Sequence, residues 1–252
     1  MITLIPMAGA GSRFAKVGYA LPKPLIPVSG KPMVINAVNA LPESEKHIFI
    51  CREEHIKNHQ LDDKLHAFYP NATILSIDHL TEGQACTCLL AEQFIDTNES
   101  LIIGACDNGM LYDHADFEKQ KDDNDCLVFT FRNNTLVNRK PEQYGWVEVD
   151  EKQLITNVSV KKPISDQPIN DHAVVGAFWF REGRLFVNAA KKLIEKNIRI
   201  NNEFYVDSVI NEVISMGYRA KVIEIDYYIG WGTPQALKTY EYWESFYKNN
   251  NA

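Results

Sequence analysis

Residues far apart in this chain have the types needed to grip a polyphosphate. Residues 2–7 read ITLIPM, and Ala8, Gly9, Ala10, Gly11, Ser12 and Arg13 follow at once. Glycine lets a backbone turn tightly and come close to an anion. The exposed N–H groups of such a loop form a concave anion site. Arg13 adds a planar, permanently charged fork, and Lys23, between Pro22 and Pro24, adds a point charge. Asp107 stands just past a second apolar run, in Gly104-Ala105-Cys106-Asp107-Asn108. A carboxylate at such an edge can hold Mg2+, which prefers oxygen ligands and keeps several waters. A nucleoside triphosphate with its cation calls for this whole set. The plainer alternative is a β-turn with two solvated cations and an Asn-Gly loop cap.

Two better-known glycine loops do not fit. A dinucleotide fingerprint needs a third small residue where Phe14 stands. A Walker loop needs Gly-Lys-Ser/Thr, whereas Gly30-Lys31 is followed by Pro32.

The elements that must position these groups follow from periodicity. In the first half, residues 2–7, 47–51, 73–77 and 101–105 read as strands, and 32–41, 53–59 and 84–94 as helices. Strands spaced by helices imply βαβ units and a parallel sheet. Ligands of such sheets gather at the carboxyl ends of strands, where residues 9–13 and Asp107 both fall. In the second half, residues 126–131, 145–149, 155–160 and 173–180 are rich in β-branched and aromatic types and read as strands. Residues 185–196 and 203–216 read as helices, 220–225 as a strand and 234–247 as a closing helix. Tyr240, Trp243 and Tyr247 are expected in the core, with a dimer contact as the alternative. The expected fold is α/β: a Rossmann-like, doubly wound mixed sheet in one domain. Residues 1–125 would serve the nucleotide and 126–252 the acceptor.

Bulk properties narrow the class. Of the 252 residues, 45% are hydrophobic and 23% charged, as in globular domains. No basic leader and no long uncharged apolar stretch is present, so neither a signal peptide nor a membrane span is expected. The formal charge of −7 argues against broad nucleic-acid binding. Arg13, Lys23, Lys161 and Lys162 can still form a local cationic pocket. Five cysteines without a compact framework suit a reducing cytoplasm. Cys86 and Cys88 should face different sides of a helix, as ordinary thiols. His47, His55, His59 and His66 are expected at the surface.

Thr81-Glu82-Gly83-Gln84-Ala85 opens the helix after the third strand. Gly83 permits close backbone approach, and Gln84 both donates and accepts, as a base edge requires. Helix capping by Thr81 or Glu82 is compatible with that reading.

Taken together, Gly9-Ala10-Gly11-Ser12-Arg13 with Pro22-Lys23-Pro24 resembles the sugar-phosphate nucleotidyltransferases, whose N-terminal stretch reads GxGxR followed by PKP. The resemblance runs along most of the chain. Asp107 stands where that family holds its catalytic Mg2+, and Gln84 where it faces the nucleobase. Residues 144–150 (YGWVEVD) look like its YGVVEVD stretch, with Trp146 in place of an aliphatic residue. Lys161-Lys162-Pro163 looks like its EKP motif, with Lys161 where Glu is usual. The resemblance makes Lys162 the lysine that holds the acceptor's phosphate. Gly145 and Gly176 would let backbone approach the acceptor, and Asn202 and Glu203 resemble the segment touching its hydroxyls. One departure stands out. The family often has an Asp metal ligand before its C-terminal Gly-Thr pair; here the stretch is Ile229-Gly230-Trp231-Gly232-Thr233, and Gly230 occupies that place. Either phosphates and water complete the shell around Asp107, or Asp226 reaches in, or catalysis is impaired. Trp231 would then shape the acceptor pocket. No hexapeptide repeats occur, so the β-helix tail of some relatives is not expected.

The resemblance implies attack by a phosphorylated small molecule on the α-phosphorus of an NTP, with Mg2+ and release of pyrophosphate. A phosphate monoester has a second pKa of about 6, so the nucleophile needs no general base. Positioning and charge neutralisation remain. The short chain resembles capsule and surface-pathway members, including cytidylyltransferases that activate phosphocholine or phosphoglutamine. That resemblance favours CTP, while Gln84 itself could serve uracil or thymine equally well. A nucleotide-sugar-dependent glycosyltransferase should carry Asp-x-Asp, which Asp107-Asn108-Gly109 is not. A non-catalytic nucleotide sensor is the third reading, motivated by Gly230. Monomer and homodimer both remain open.

Overall fold

The computed structural model describes residues 1–250. Nine strands form one mixed sheet. Across it run the strands Ile155–Val160, Gly145–Val149, His172–Phe180, Leu101–Gly104, Ile2–Pro6, Lys46–Arg52 and Thr73–Ile77, in that order. Cys126–Phe131 pairs with His172–Phe180, and Ala220–Glu224 runs parallel beside it. The four strands of the first half are mutually parallel. His172–Phe180 enters antiparallel to Leu101–Gly104 and joins the two halves into one sheet.

Side chains alternate between two cores. Ile2, Leu4, Ile48, Ile50, Leu101 and Ile103 belong to one cluster, and Ile5, Phe49, Cys51 and Ile102 to the other. A strand covered on both faces must be apolar throughout, which is why ITLIPM and HIFIC show no polar alternation. Helices Gln84–Leu89, Gly183–Glu195 and Val206–Ser215 cover the first face. Met33–Asn39, Leu61–His66 and His114–Asp123 cover the second. This is the expected Rossmann-like mixed sheet.

Ile2–Pro6 lies between Lys46–Arg52 and Leu101–Gly104. The chain moves outward from that central strand in one direction and later returns on its other side. That reversal opens a crevice at the carboxyl edge. The loops after Pro6 and Gly104 both leave from there.

Several local expectations are corrected. The helix expected over 84–94 breaks into Gln84–Leu89 and Glu92–Ile95. The one expected from 203 starts at Val206, because the Phe204 N–H and carbonyl are bonded to Glu82 and Ala85 and Tyr205 is extended at ψ 148°. Asn108–Leu111 and Tyr227–Gly230, not foreseen as strands, form their own antiparallel pair. His55 is buried, not exposed, at 9% accessibility. Trp243 and Tyr247 are 49% and 59% exposed: helix Pro234–Asn250 buries only Leu237 and carries them beyond the core. Tyr240 does pack, edge-on to Trp231. Four cysteines are buried, Cys86 is partly exposed, and all five are free. Among the described residues no helix is long and apolar enough to cross a membrane.

Candidate active site

The crevice is built around one ion pair. Lys23 Nζ lies 2.9 Å from Asp107 Oδ2. Buried Pro24 and Leu25, in a short 3-10 turn from Lys23 to Leu25, anchor the lysine. Burial alone would lower its pKa, but the Asp107 carboxylate outweighs that and holds the ammonium charged well above its ordinary range. Arg13 is exposed on the four-residue helix Ser12–Ala15.

Ala8 is buried, while Gly9, Ala10 and Ser12 are open to solvent. Gly11 has φ +59°, and a Cβ there would sit 3.5 Å from Lys23 Cβ. The loop therefore wraps the lysine with its amides free. Behind it lies a cavity of about 320 Å3, lined among others by Phe14, Tyr19, His55 and Cys106.

Asp107 is held by the strap that returns from the C-terminal region. The Trp231 N–H donates to the Asp107 carbonyl at 2.8 Å. A Cβ on Gly232 would meet Asp107 Oδ2 at 2.5 Å, so only glycine admits this approach. Asn108 turns away, its amide donating to the Val175 carbonyl at 2.7 Å. That carbonyl precedes Gly176, whose φ of +95° accompanies a register break in His172–Phe180. Gly176 accepts from the Ala105 N–H at 2.9 Å, close beneath Asp107.

Gln84 begins a helix whose N-cap is Gly83, at φ +124° and with no side-chain cap. The Phe204 N–H donates to the Glu82 carbonyl at 2.8 Å, and the Ala85 N–H donates to the Phe204 carbonyl at 2.9 Å. A Cβ on Gly83 would lie 2.5 Å from both Phe204 N and O. The turn expected to face the base is thus clamped to the segment carrying Asn202 and Glu203. Arg199 reinforces the clamp with an ion pair to Glu82 at 3.0 Å, its guanidinium 4.3 Å from the Phe204 ring centre.

In the second half of the chain, Gly145 lies against Asp207, where a Cβ would be 2.1 Å from Oδ1. Burial raises the Asp207 carboxyl above its usual range. Tyr205 is pushed up by burial and by the neighbouring Glu203 carboxylate. Lys161 turns inward to this group; Lys162 is exposed. Tyr205 belongs to the 202–205 stretch of the resemblance; Asp207, a solvated side chain if that stretch only starts a helix, is instead half-buried against Gly145.

Two expected residues are not brought into the crevice. Trp231 is buried at 4% exposure, packed on Gly109 and in a cluster with Phe14, Ile26 and Met33, so it supports the edge from below instead of lining an acceptor pocket. Asp226 is exposed, and the strand from Gly230 back to Tyr227 carries it about 13 Å from the Asn108 level at 3.3 Å per residue. Among the described residues no three His, Cys, Asp or Glu side chains converge on a metal position. Asp107 alone still fits Mg2+, which often takes one or two carboxylates and draws its other ligands from phosphates and water.

With this geometry in hand, the nucleotidyl transferase family model matches residues 2–244. The chain belongs to that family, whose enzymes transfer nucleotidyl groups and generally use Mg2+. A search of curated proteins finds no match. Among solved structures it is similar to the nucleoside-diphosphate-sugar pyrophosphorylase from Vibrio cholerae RC9, at 21% identity and TM-score 0.77, over 95% of this chain and 99% of that one. The inositol-1-phosphate CTP transferase from T. maritima superposes at TM-score 0.74 with 16% identity, over 95% of this chain and 93% of that one. A protein described as a glucose-1-phosphate thymidylyltransferase from Bacillus anthracis gives 0.72 and 18%, over 96% and 93%. At these identities the likeness carries the fold. Each match covers 95–96% of this chain, and among the described residues there is no β-helix.

Proposed function

We propose that this chain transfers a nucleoside monophosphate from an NTP, with CTP preferred, to a phosphorylated small molecule. An oxygen of the acceptor's phosphate bonds to the α-phosphorus. The α–β bridging bond breaks, and its electron pair leaves with pyrophosphate. The observation carrying this reading is the Lys23–Asp107 pair at 2.9 Å, which joins the glycine loop to the end of Leu101–Gly104. Arg13 grips the leaving phosphates, and the amides of 8–12 cradle them. Lys23 bridges the α-phosphate and the nucleophile. Asp107 holds Mg2+, which supplies positive charge to the phosphates when bound. Gly83 and Gln84 face the base. Gly145, Gly176, Asn202 and Glu203 border the acceptor, and a lysine of the Lys161-Lys162 pair draws its phosphate into line. Residues 1–125 then serve mainly the nucleotide and 126–252 mainly the acceptor.

The preference for CTP draws support from the T. maritima CTP transferase among the structural neighbours. The product would be a nucleotide-activated precursor for a capsule or other surface polymer, made in the reducing cytoplasm that five free cysteines suit. The test is a pyrophosphate-release screen. The four NTPs, with Mg2+, are run against glucose 1-phosphate, inositol 1-phosphate, phosphocholine and phosphorylated amino acids. Release with CTP and one acceptor class supports the proposal. Release only with another NTP removes the CTP preference, and no release with any pair overturns the reaction.

A further inference from the structure

The closing helix Pro234–Asn250 is anchored at its start and then leaves the body. Thr233 Oγ1 accepts from the Ala236 N–H at 3.1 Å, and Pro234 fits the first turn, where an N–H is not needed. Leu237 is buried, and the Tyr240 hydroxyl lies 2.7 Å from Ser29 Oγ. Past Tyr240 the side that continues this inner stripe carries charge. There Lys248 Nζ pairs with Glu244 at 2.9 Å. At about 100° per residue, Lys238, Glu241, Glu244 and Lys248 all fall within about 120° of arc, around Leu237. Tyr242, Trp243, Phe246 and Tyr247 fall on the opposite side, in an arc of about 140° that holds no charged residue.

All four of these aromatic side chains are exposed, by between 46% and 65%. Their rings are packed on one another. Trp243 lies 5.4 Å from Tyr242, 5.8 Å from Phe246 and 6.2 Å from Tyr247, centre to centre. Phe246 and Tyr247 are 5.6 Å apart. The four therefore form one continuous patch. At about 200 Å2 per aromatic side chain, the exposed fractions leave about 440 Å2 of ring surface in water. A patch of that size on a monomer commonly marks an interaction site.

Charge and area point to the occupant. The arc offers nothing for an ionic partner to read. Helices that lie in a bilayer surface carry Lys and Arg in excess on their polar side. Here Lys238 and Lys248 are matched by Glu241 and Glu244, in a chain of net charge −7. An identical face suffers from neither mismatch. An antiparallel pair about a two-fold axis between Trp243 and Phe246 stacks each on the other and makes every contact twice. Two such patches cover about 900 Å2 through their rings alone, and the uncharged rim of Gln235, Thr239 and Asn250 brings the pair near the roughly 1,200 Å2 where specific interfaces begin.

We infer that this helix face is a homodimer interface, and that its occupant is a second copy of the chain. An interface at the small end of the range implies a dissociation constant on the order of 10 µM.

The test is sedimentation of the full chain from about 1 to 200 µM, which brackets that constant. Wild type should pass from monomer to dimer. Trp243→Ser and Phe246→Ser should each raise the dissociation constant at least tenfold, as loss of a central aromatic anchor does. Lys238→Ala, on the charged arc, should change it less than threefold. Addition of about 0.5 M NaCl screens the repulsion between the two acidic copies, so the dimer should persist or tighten. Melts near 1 µM, where wild type is monomeric, should give every variant the wild-type Tm within a few degrees, which shows that the fold survives. Acrylamide quenching locates the contact. Trp146, Trp179 and Trp231 are buried, so quenching reports Trp243, and it should fall as the dimer forms. A wild type that stays monomeric at every concentration overturns the inference. So does a dimer that ignores Trp243→Ser and Phe246→Ser, that salt dissociates, or that leaves Trp243 as quenchable as before. Protection of Trp243 in the monomer by phosphatidylglycerol vesicles would assign the face to a membrane surface and would likewise overturn it.

Discussion

The clamp between Gly83 and Phe204 allows a sharp prediction from geometry. Gly83 holds φ +124°, a conformation that L side chains rarely adopt, and a Cβ there would approach the Phe204 N and O to 2.5 Å. Alanine at 83 must relieve both conflicts. Backbone strain of this kind is worth about 1–3 kcal/mol. Moving Phe204 away breaks its bonds with Glu82 and Ala85, each worth about 0.5–1.5 kcal/mol net. Either relaxation costs about 1–3 kcal/mol, so about 2 kcal/mol is the expected cost at the 200–204 segment. At 1.4 kcal/mol per tenfold, this is about a 30-fold gain in local opening. Amide exchange at Phe204 and Ala85 in Gly83→Ala should rise by that factor, and Tm should fall by at least about 4 °C. If Gly83 and Gln84 face the base, the apparent affinity for CTP should fall with it. Gly9→Ala is the control: a Cβ at Gly9 meets nothing within 4 Å, so Tm should hold. Wild-type exchange rates and Tm in Gly83→Ala would refute the clamp.

Removing the lysine of the central pair, in Lys23→Ala, should cut pyrophosphate release on the order of 10²–10³-fold, as for loss of one charge-stabilising donor. Because that pair is partly exposed and contributes about 0–1 kcal/mol, Tm should move by no more than a few degrees. Gly232→Ala pushes a methyl against Asp107 Oδ2 and should raise the Mg2+ concentration giving half-maximal activity at least tenfold, read in a Mg2+ titration. Burial, then the Arg132 charge, keeps His172 below its ordinary pKa. An unfolded chain binds that proton first, so the stability His172 contributes is complete above about pH 6.5 and is lost as pH falls below it. His172→Gln should therefore show a flatter Tm profile between pH 7 and 5 than wild type. Trp243→Ser and Tyr247→Ser should each change stability by less than about 0.5 kcal/mol in thermal melts, since both side chains are largely exposed.

What could be read from the sequence followed from local physics. Residues 126–131, 145–149, 155–160 and 73–77 form strands over the expected bounds, because strands buried on one or both faces are written as apolar and β-branched runs. The glycine loop and Asp107 could be paired before any coordinates, since each directly follows a parallel strand. His55 was misplaced because it sits among Glu53, Glu54 and Lys57, and local polarity hides a side chain buried against the loop cavity. The pairing of Asn108–Leu111 with Tyr227–Gly230 joins four-residue segments distant in the chain, so no periodicity could signal it. The inward turn of Lys161 depends on a single left-handed φ at a strand end, which no spacing rule specifies.

That unforeseen strand pair also explains the residue that first looked like a defect. Gly230 lies opposite Asn108, and Gly232 follows it directly over the Asp107 carboxylate. The Trp231 N–H ties the strap to the Asp107 carbonyl, and its indole fills the space beneath Gly109. At that separation any side chain on Gly232 would displace the carboxylate. The strap therefore trades a possible second carboxylate for close backbone support of the first. Under the proposed reaction, the metal must then draw its remaining ligands from the triphosphate and water. The protein's affinity for Mg2+ should depend strongly on bound nucleotide. Isothermal titration of Mg2+ with and without a CTP analogue carrying a methylene between its α- and β-phosphorus atoms decides this. Tight Mg2+ binding to the nucleotide-free chain would show a ligand set richer than Asp107 and would refute the argument.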